Sequence, residues 1–462
     1  MNSLVQVAYL LTAVAFILGV MRLRAPARAR SGNLLAAGGM LLALVATAAV
    51  LPAHHLWWVG AALVVGGIAG TASARRVPMT AMPQMVALFN GMGGGAAALV
   101  AADETARYLP AFPPAAAAAP ALFTVLIGSI SFAGSMVAFA KLQELIRGRP
   151  ITFPGQKPVN LLLLLLLIGV ALLLPFDPAA RAALLIGFAA GALLLGVSTV
   201  LPVGGADMPV IISLLNACTG LAAATTGFVL GNNVLIVAGA LVGASGTILT
   251  VLMSRAMNRS LANVLFGSFG KLHATHLAQA GTEGEGVRAT TVEDVAALLA
   301  YAGKVAIVPG YGLAVSRAQQ EVRDLMDALL ARGVDVRFGI HPVAGRMPGH
   351  MNVLLAEANV PYDRLYDMES INPDFPRTDV VLVIGANDVT NPAARNNPDS
   401  PLYGMPVLNV DQARSVVVLK RSLRPGFAGI DNDLYRNPKT MMLFGDARES
   451  LQHLLSALKD VA

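Results

Sequence analysis

Residues 160–174 read NLLLLLLLIGVALLL, without a single charge. In hydrocarbon every backbone N–H and C=O must be satisfied inside the segment, so such a run is stable only as a helix. Eight more apolar runs accompany it. Together the candidates lie near 4–22, 33–51, 57–74, 84–102, 120–140, 159–175, 182–202, 208–229 and 233–254, each close to the about 17–25 residues that cross a bilayer. They predict a multi-pass α-helical membrane domain over the first 260 residues. The run at 84–102 is Gly-rich. The first run has its arginines after it rather than before it, so a retained helix is expected and not a cleaved leader.

Composition agrees with this division. Hydrophobic residues make up 55% and charged residues 13%, against roughly 25% charged in an ordinary soluble protein. That excludes a disordered chain, a disulfide scaffold and a wholly soluble enzyme. Residues 1–260 hold 14 Lys/Arg and 5 Asp/Glu, whereas 261–462 hold 19 and 22. The basic excess therefore belongs to the membrane part and orients loops; it is a weak sign of nucleic-acid binding. Arg22, Arg24, Arg28 and Arg30 follow the first run, and Arg75 and Arg76 the third. Lys141, Arg147, Arg149 and Lys157 follow the fifth, and Arg255 and Arg259 the ninth, while the alternate loops offer only Arg107 and Arg181. By the positive-inside rule the N-terminus is expected outside and the C-terminal half in the cytoplasm. The single cysteine, Cys218, permits no intramolecular disulfide.

Polar groups inside the spans are costly and therefore informative. Ser129, Ser131 and Ser135 share one run, and Thr225 and Thr226 another; hydrogen bonding between helices accounts for such hydroxyls, and Gly91 and Gly95 suit close helix packing. Asn90, Asn216 and Asp207 are candidates for a polar or proton path, with Asp207 expected to cap a helix. No span carries a mid-membrane His, Glu, Lys or Arg, so no titrating relay is evident.

Residues 261–289 read as a linker and 290–462 as a globular domain. His273 and His276 in the linker have no further ligands following them, so no metal is expected. Thr290 and Glu293 have capping-box spacing ahead of a helix over 292–302. An apolar strand, 304–308, is followed by Pro309-Gly310-Tyr311-Gly312-Leu313-Ala314-Val315 and a long helical run stopped at Gly333. Further strands are expected at 334–340 and 380–385, with apolar runs at 406–410, 416–419 and 441–444. A helix is expected at 350–359 and a terminal one at about 446–460. Strands alternating with helices predict an α/β doubly wound parallel sheet, a Rossmann-like domain.

The Gly310-x-Gly312-x-x-Val315 loop has the strand–turn–helix context of a dinucleotide fingerprint, with Val315 in place of the third small residue. Gly310 allows the tight turn, Gly312 lets backbone approach a pyrophosphate, and a helix N-terminus offers N–H groups to the anion. A second strand-end loop, Gly385-Ala386-Asn387-Asp388, is expected to face it across the switch-point crevice. Lys420, Arg421 and Ser422 end another strand, and two cations with a hydroxyl suit a phosphate monoester. With His341 and no carboxylate after strand 334–340, this favours NADP over NAD. Tyr435 and Lys439 match a dehydrogenase dyad by spacing, but Pro438 between them argues against one helix carrying both.

At this point the chain resembles the β subunits of proton-translocating NAD(P) transhydrogenases over essentially its whole length. The matching runs are PGYGLAV at 309–315, RFGIHPVAGRMPGHMNVLLAE at 337–357, VIGANDVTNPAA at 383–394, GMPVL at 404–408, KRS at 420–422 and MLFGDA at 442–447. GGADMP at 204–209 and AMNRS at 256–260 match in the membrane half. The resemblance implies that 290–462 binds NADP(H), reversed relative to the common dinucleotide mode. Gly310, Tyr311, Gly312, Leu313, Ala314 and Val315 would hold the pyrophosphate, and Lys420, Arg421 and Ser422 the 2′-phosphate. Gly385, Ala386, Asn387, Arg346, Gly426 and Asp446 would complete the cofactor set, with Asp388 near the cofactor and acting in coupling. NAD(H) would sit on a separate α subunit that also carries the remaining membrane helices, and hydride would pass directly between the two nucleotides. A dimer of αβ units in a bacterial inner membrane is expected. Ser135 and Asn216 match proton-path positions, with Asn90 where some members carry His, and Phe427 stands where members commonly carry Tyr. Two other readings, a nucleotide-gated ion channel or transporter and a membrane-anchored dehydrogenase, lack a selectivity-filter run and a substrate acid–base group respectively.

Overall fold

The computed structural model describes residues 3–23, 26–78, 81–107, 115–146, 150–174, 176, 179–204, 207–257, 286–346, 349–400, 402–426 and 428–461. The chain divides into two compact units, Met1–Thr250 and Val251–Ala462. His273, His276 and Phe427 lie outside the described residues.

In the first unit nine helices among the described residues are long and apolar enough to cross a membrane. They are α1 (Ser3–Leu23), α2 (Pro26–Ala48), α3 (Ala53–Arg76), α4 (Met82–Arg107), α5 (Ala115–Leu142), α6 (Gln156–Leu173), α7 (Arg181–Val200), α8 (Met208–Leu230) and α9 (Asn233–Ala256). Each expected run is found as one helix. The largest shift is α2, which begins seven residues early. Helices α5 and α8 are the most enclosed, and α4, α7 and α8 all pack on α5. Small residues permit this: a Cβ built on Gly128 of α5 would stand 2.7 Å from the Gly94 carbonyl of α4. Gly91 and Gly95 likewise receive Ser135 and Phe132 of α5.

Two details differ from expectation. Lys141 is not a loop residue; it is buried in the last turn of α5, where its ammonium donates to the Leu201 and Val203 carbonyls, the latter at 2.7 Å. A cation there offsets carbonyls left open at the end of α7. Asp207 does stand at the N-cap of α8, but its carboxylate makes no capping hydrogen bond.

The second unit is a six-stranded, all-parallel sheet in the order β3-β2-β1-β4-β5-β6. The strands are β1 (Lys304–Pro309), β2 (Asp335–Ile340), β3 (Leu365–Asp367), β4 (Val380–Ile384), β5 (Ser415–Lys420) and β6 (Thr440–Phe444). This is the doubly wound order, with its switch point between β1 and β4. Every residue of β4 is buried, as expected when a parallel strand is covered on both faces. On one face Ala306, Val308, Val381, Val383, Val416 and Val418 pack with Phe375 and Ile371. On the other lie α10 (Val292–Ala300), α11 (Tyr311–Ser316), α12 (Gln319–Ala331) and the terminal α14 (Ala447–Asp460), which packs against the three others. Helix α13 (His350–Glu357) follows β2.

The helix start before 292 is capped by Thr291, whose side chain accepts from the Asp294 amide, not by Thr290. Thr290 instead donates its amide to Met442, and Arg288 and Ala289 also run along β6. The long helical run after β1 breaks into α11 and α12 at Arg317, which is left-handed at φ 50°. Gly333, at φ 83°, ends that run as expected. The apolar run 406–410 forms no strand. Its carbonyls turn sideways instead, Pro406 accepting from His341 and Val407 from Asn372.

Candidate functional site

The fingerprint loop after β1 and the loop after β4 touch at the switch point. Gly310 donates its amide to Ile384 at 2.8 Å, and Gly312 donates to Gly385 at 2.9 Å. A Cβ on Gly312 would lie 2.7 Å from the Gly385 Cα, and one on Gly310 2.5 Å from the Gly385 carbonyl. Gly385 takes φ 64°, a turn that L side chains rarely adopt. The expected facing of the two loops is thus present. One expectation changes, because these two amides are spent on the neighbouring loop and not left open for an anion. Leu313 and Ala314 turn inward and are fully buried, while Val315 is exposed. The Arg346 guanidinium stacks 4.7 Å above the Tyr311 ring.

A cavity of about 210 Å³ opens beside Gly312 and Gly385. Lys420, Arg421 and Ser422 line it, together with Ser316, Arg424 and Gly445. Ala447, at the start of α14, lines it too, so the positive end of a 14-residue helix dipole reaches this cavity. Asp446 caps that helix through the Arg448 amide and accepts from the Ser316 hydroxyl at 3.0 Å. Ser316, Arg424 and Gly445 escape sequence reasoning because they come from three separate segments. Another cleft, about 490 Å³ between α10 and α14, holds none of these residues.

Asp388 accepts the Ala428 amide at 2.9 Å, and a Cβ on Gly426 would lie 2.6 Å from its carboxylate. Gly426 and Ala428 therefore rest on the loop after β4. Lys420 points its ammonium at the Arg424 carbonyl and lies 5.2 Å from the Tyr435 ring centroid. Burial pushes this amine below the usual lysine range, opposed by the nearby carboxylates of Asp388 and Asp431. Tyr435 and Lys439 do not form a dyad. Lys439 reaches the Ala413 carbonyl, whereas the Tyr435 hydroxyl reaches Asn387.

His341 faces inward and offers nothing to a ribose. The Val343 amide donates to its Nδ1, and its Nε2 lies 2.9 Å from the Pro406 carbonyl, which sets the neutral Nε2–H tautomer. His350 likewise accepts the Arg346 amide on Nδ1. Burial pushes both imidazoles down to about 4, and Arg346 adds to the shift at His350.

In the membrane unit, Asn90 of α4 donates to Ser135 at 2.9 Å and to Ser131 at 3.4 Å, both on α5. Ser131 also shares a 2.6 Å hydrogen bond with Thr219 of α8, which reaches back to the Asn90 carbonyl. Asn90 and Ser135 are thus brought together in one ring of polar groups across three helices. Asn216 lies one turn before Thr219 and makes no hydrogen bond in that ring, and Asp207 stands at the N-cap of α8. Thr219 escaped the sequence reading because a single Thr in an apolar run carries no pattern. Among the described residues no cluster of His, Cys, Asp and Glu suits a metal ion.

Residues 5–457 match the sequence family described as NAD(P) transhydrogenase beta subunit. The NAD(P) transhydrogenase subunit beta of Rhodospirillum rubrum, and equally that of its strain ATCC 11170, is 46% identical over 469 residues, covering 99% of both chains. The chain belongs to the NAD(P) transhydrogenase beta-subunit family, an enzyme family whose subunit naming implies an α partner.

Proposed function

We propose that this chain binds NADP(H) in its C-terminal unit and couples hydride transfer from NADH, held on the α partner, to proton movement through its helical unit. The observation that carries this reading is the cationic cavity beside the touching fingerprint loops. Lys420, Arg421 and Arg424 supply positive charge, Ser316 and Ser422 supply hydroxyls, and the start of α14 supplies its dipole. That donor set suits a phosphate monoester, the group by which NADP differs from NAD. Gly310, Gly312, Gly385 and Gly426 let the site loops pack closely on one another beside that cavity. When bound, NADP(H) supplies the hydride acceptor or donor. The protein's own work is to seat it, to exclude water and to change its affinity.

Asp388 suits the last task. It lies at the contact between two site loops and beside Lys420, so a change in its charge would alter both. One proton crossing 100 mV yields about 2.3 kcal/mol, enough to change relative affinity for the two cofactor forms by roughly a few tens of fold. Asn90, Ser131, Ser135 and Thr219 would orient the proton path, with Asn216 and Asp207 further along α8. Asn90 cannot titrate, so another group would carry the proton past it, with water and the α partner as candidates. The soluble unit is assigned to the cytoplasm, the N-terminus to the outer side, and the assembly to a dimer of αβ units in a bacterial inner membrane.

The test begins with the full chain in detergent, titrated calorimetrically with NADPH and then NADH. Tight NADPH binding with little response to NADH is expected; equal affinity or none for either overturns the assignment. Reconstitution with the α partner in vesicles then tests coupling, read as NADPH formation with proton uptake.

A further inference from the structure

Tyr435 is absorbed into neither a dehydrogenase dyad nor the phosphate cavity, yet it touches both cofactor loops. It is buried, at 4% exposure. Its hydroxyl donates to Asn387 Oδ1 at 2.9 Å. Asn432 Nδ2 donates to the same oxygen at 3.1 Å. With two donors on the oxygen, the carboxamide is fixed in one of its two flips. Its Nδ2 then turns toward Gly426, on which a Cβ would stand 2.9 Å away. That Nδ2 is buried and has no hydrogen-bond partner among the described residues. A buried N–H pair left unmet is costly unless something supplies an acceptor. The face of the same phenol ring holds the Lys420 ammonium.

We propose that Tyr435 is a positioning residue for the bound nucleotide: its hydroxyl locks the Asn387 carboxamide with Nδ2 presented to an acceptor oxygen of NADP(H), while its ring seats Lys420. One side chain thereby ties the loop after β4 to the loop after β5. This inference rests on the NADP(H) reading above. Burial pushes the phenol up out of the physiological range, so the hydroxyl keeps its proton and donates at every working pH.

The experiment uses the full chain in detergent and NADPH titrations of wild type, Tyr435→Phe, Asn387→Ala and the double variant. Phe keeps the ring and the Lys420 contact and loses only the hydroxyl. Tyr435→Phe is expected to weaken NADPH binding about 5- to 10-fold, the size of one neutral hydrogen bond. In the Asn387→Ala background the same change is expected to cost nothing further. Tyr435→Leu, which also unseats Lys420, is expected to erode the preference for NADPH over NADH, which Phe preserves. Wild-type NADPH affinity in Tyr435→Phe, or an undiminished loss in the Asn387→Ala background, overturns the proposal. Absence of NADPH binding by the wild-type chain overturns the underlying reading instead.

Discussion

Gly312 and Gly385 meet backbone to backbone, the Gly312 amide donating to the Gly385 carbonyl at 2.9 Å. Neither position has room for a side chain. Gly312→Ala would force a methyl to 2.7 Å from the Gly385 Cα. An overpacked contact of this kind costs about 1–3 kcal/mol, so the two loops are expected to part. NADPH affinity should fall at least tenfold in a titration of the full chain, with circular dichroism little changed. Unaltered affinity would mean that the contact is not part of the site.

The cation loop should control discrimination and not general nucleotide binding. Arg421→Gln removes one charge from the cavity. A charge-assisted hydrogen bond is worth about 1.5–3 kcal/mol, so NADPH affinity is expected to fall roughly 10- to 100-fold. NADH affinity should stay as it was. Calorimetry with the two nucleotides in parallel measures this ratio directly.

Asp388→Asn keeps an acceptor for the Ala428 amide but removes the charge beside Lys420. The variant is expected to fold and to lose coupled turnover. In vesicles with the α partner, NADPH formation and proton uptake should fall together. Wild-type coupled rates would show that this carboxylate is not the switch.

The polar ring in the membrane unit has Ser131 as its hub, bonded to Asn90, Thr219 and the Leu215 carbonyl. Ser131→Ala deletes all three bonds at almost constant volume. Each interhelical bond in a membrane protein is worth about 0.6 kcal/mol on average, so the bundle should survive. Proton uptake should drop severalfold while NADPH binding stays normal.

Acid should weaken the soluble unit through His341 and His350. Both are held near 4 by burial, against about 6.5 in an unfolded chain. Between those values the unfolded chain binds more protons, so stability is complete above pH 6.5 and falls as pH drops toward 4. The loss is on the order of 3 kcal/mol per histidine when both are fully protonated. Pulse proteolysis in urea between pH 7 and 4.5 measures it. His350→Asn, which keeps an acceptor for the Arg346 amide, should flatten the slope.

Much of this was legible in the sequence where the signal is local. The membrane runs declare themselves by hydropathy, because a lipid-facing helix needs no partner to justify its apolar surface. Strands β1, β4 and β5 are continuous apolar runs, as double-sided burial requires. β3 was not legible. It has three residues, with Asp367 among them, and is a strand only because β2 pairs with it. The run 406–410 had the apolar character of a strand, but the His341 and Asn372 side chains claim its carbonyls. Arg317 breaks a helical pattern that hydropathy alone would continue.

The sequence by itself determined the division into a helical bundle and a parallel sheet, the two glycine-bearing loops, and the Lys420 and Arg421 cations with the Ser422 hydroxyl. These follow from residue type and period, which act over a few positions. Only the tertiary structure decided which groups share a site. It spent the Gly310 and Gly312 amides on β4 and its loop, brought Ser316 and the start of α14 to the cations, buried Lys141 and placed Tyr435 under Asn387. It also closed the ring of Asn90, Ser131, Ser135 and Thr219. Those relations join residues from separate segments of the chain. They are set by helix packing and sheet order, and no window of the chain contains them.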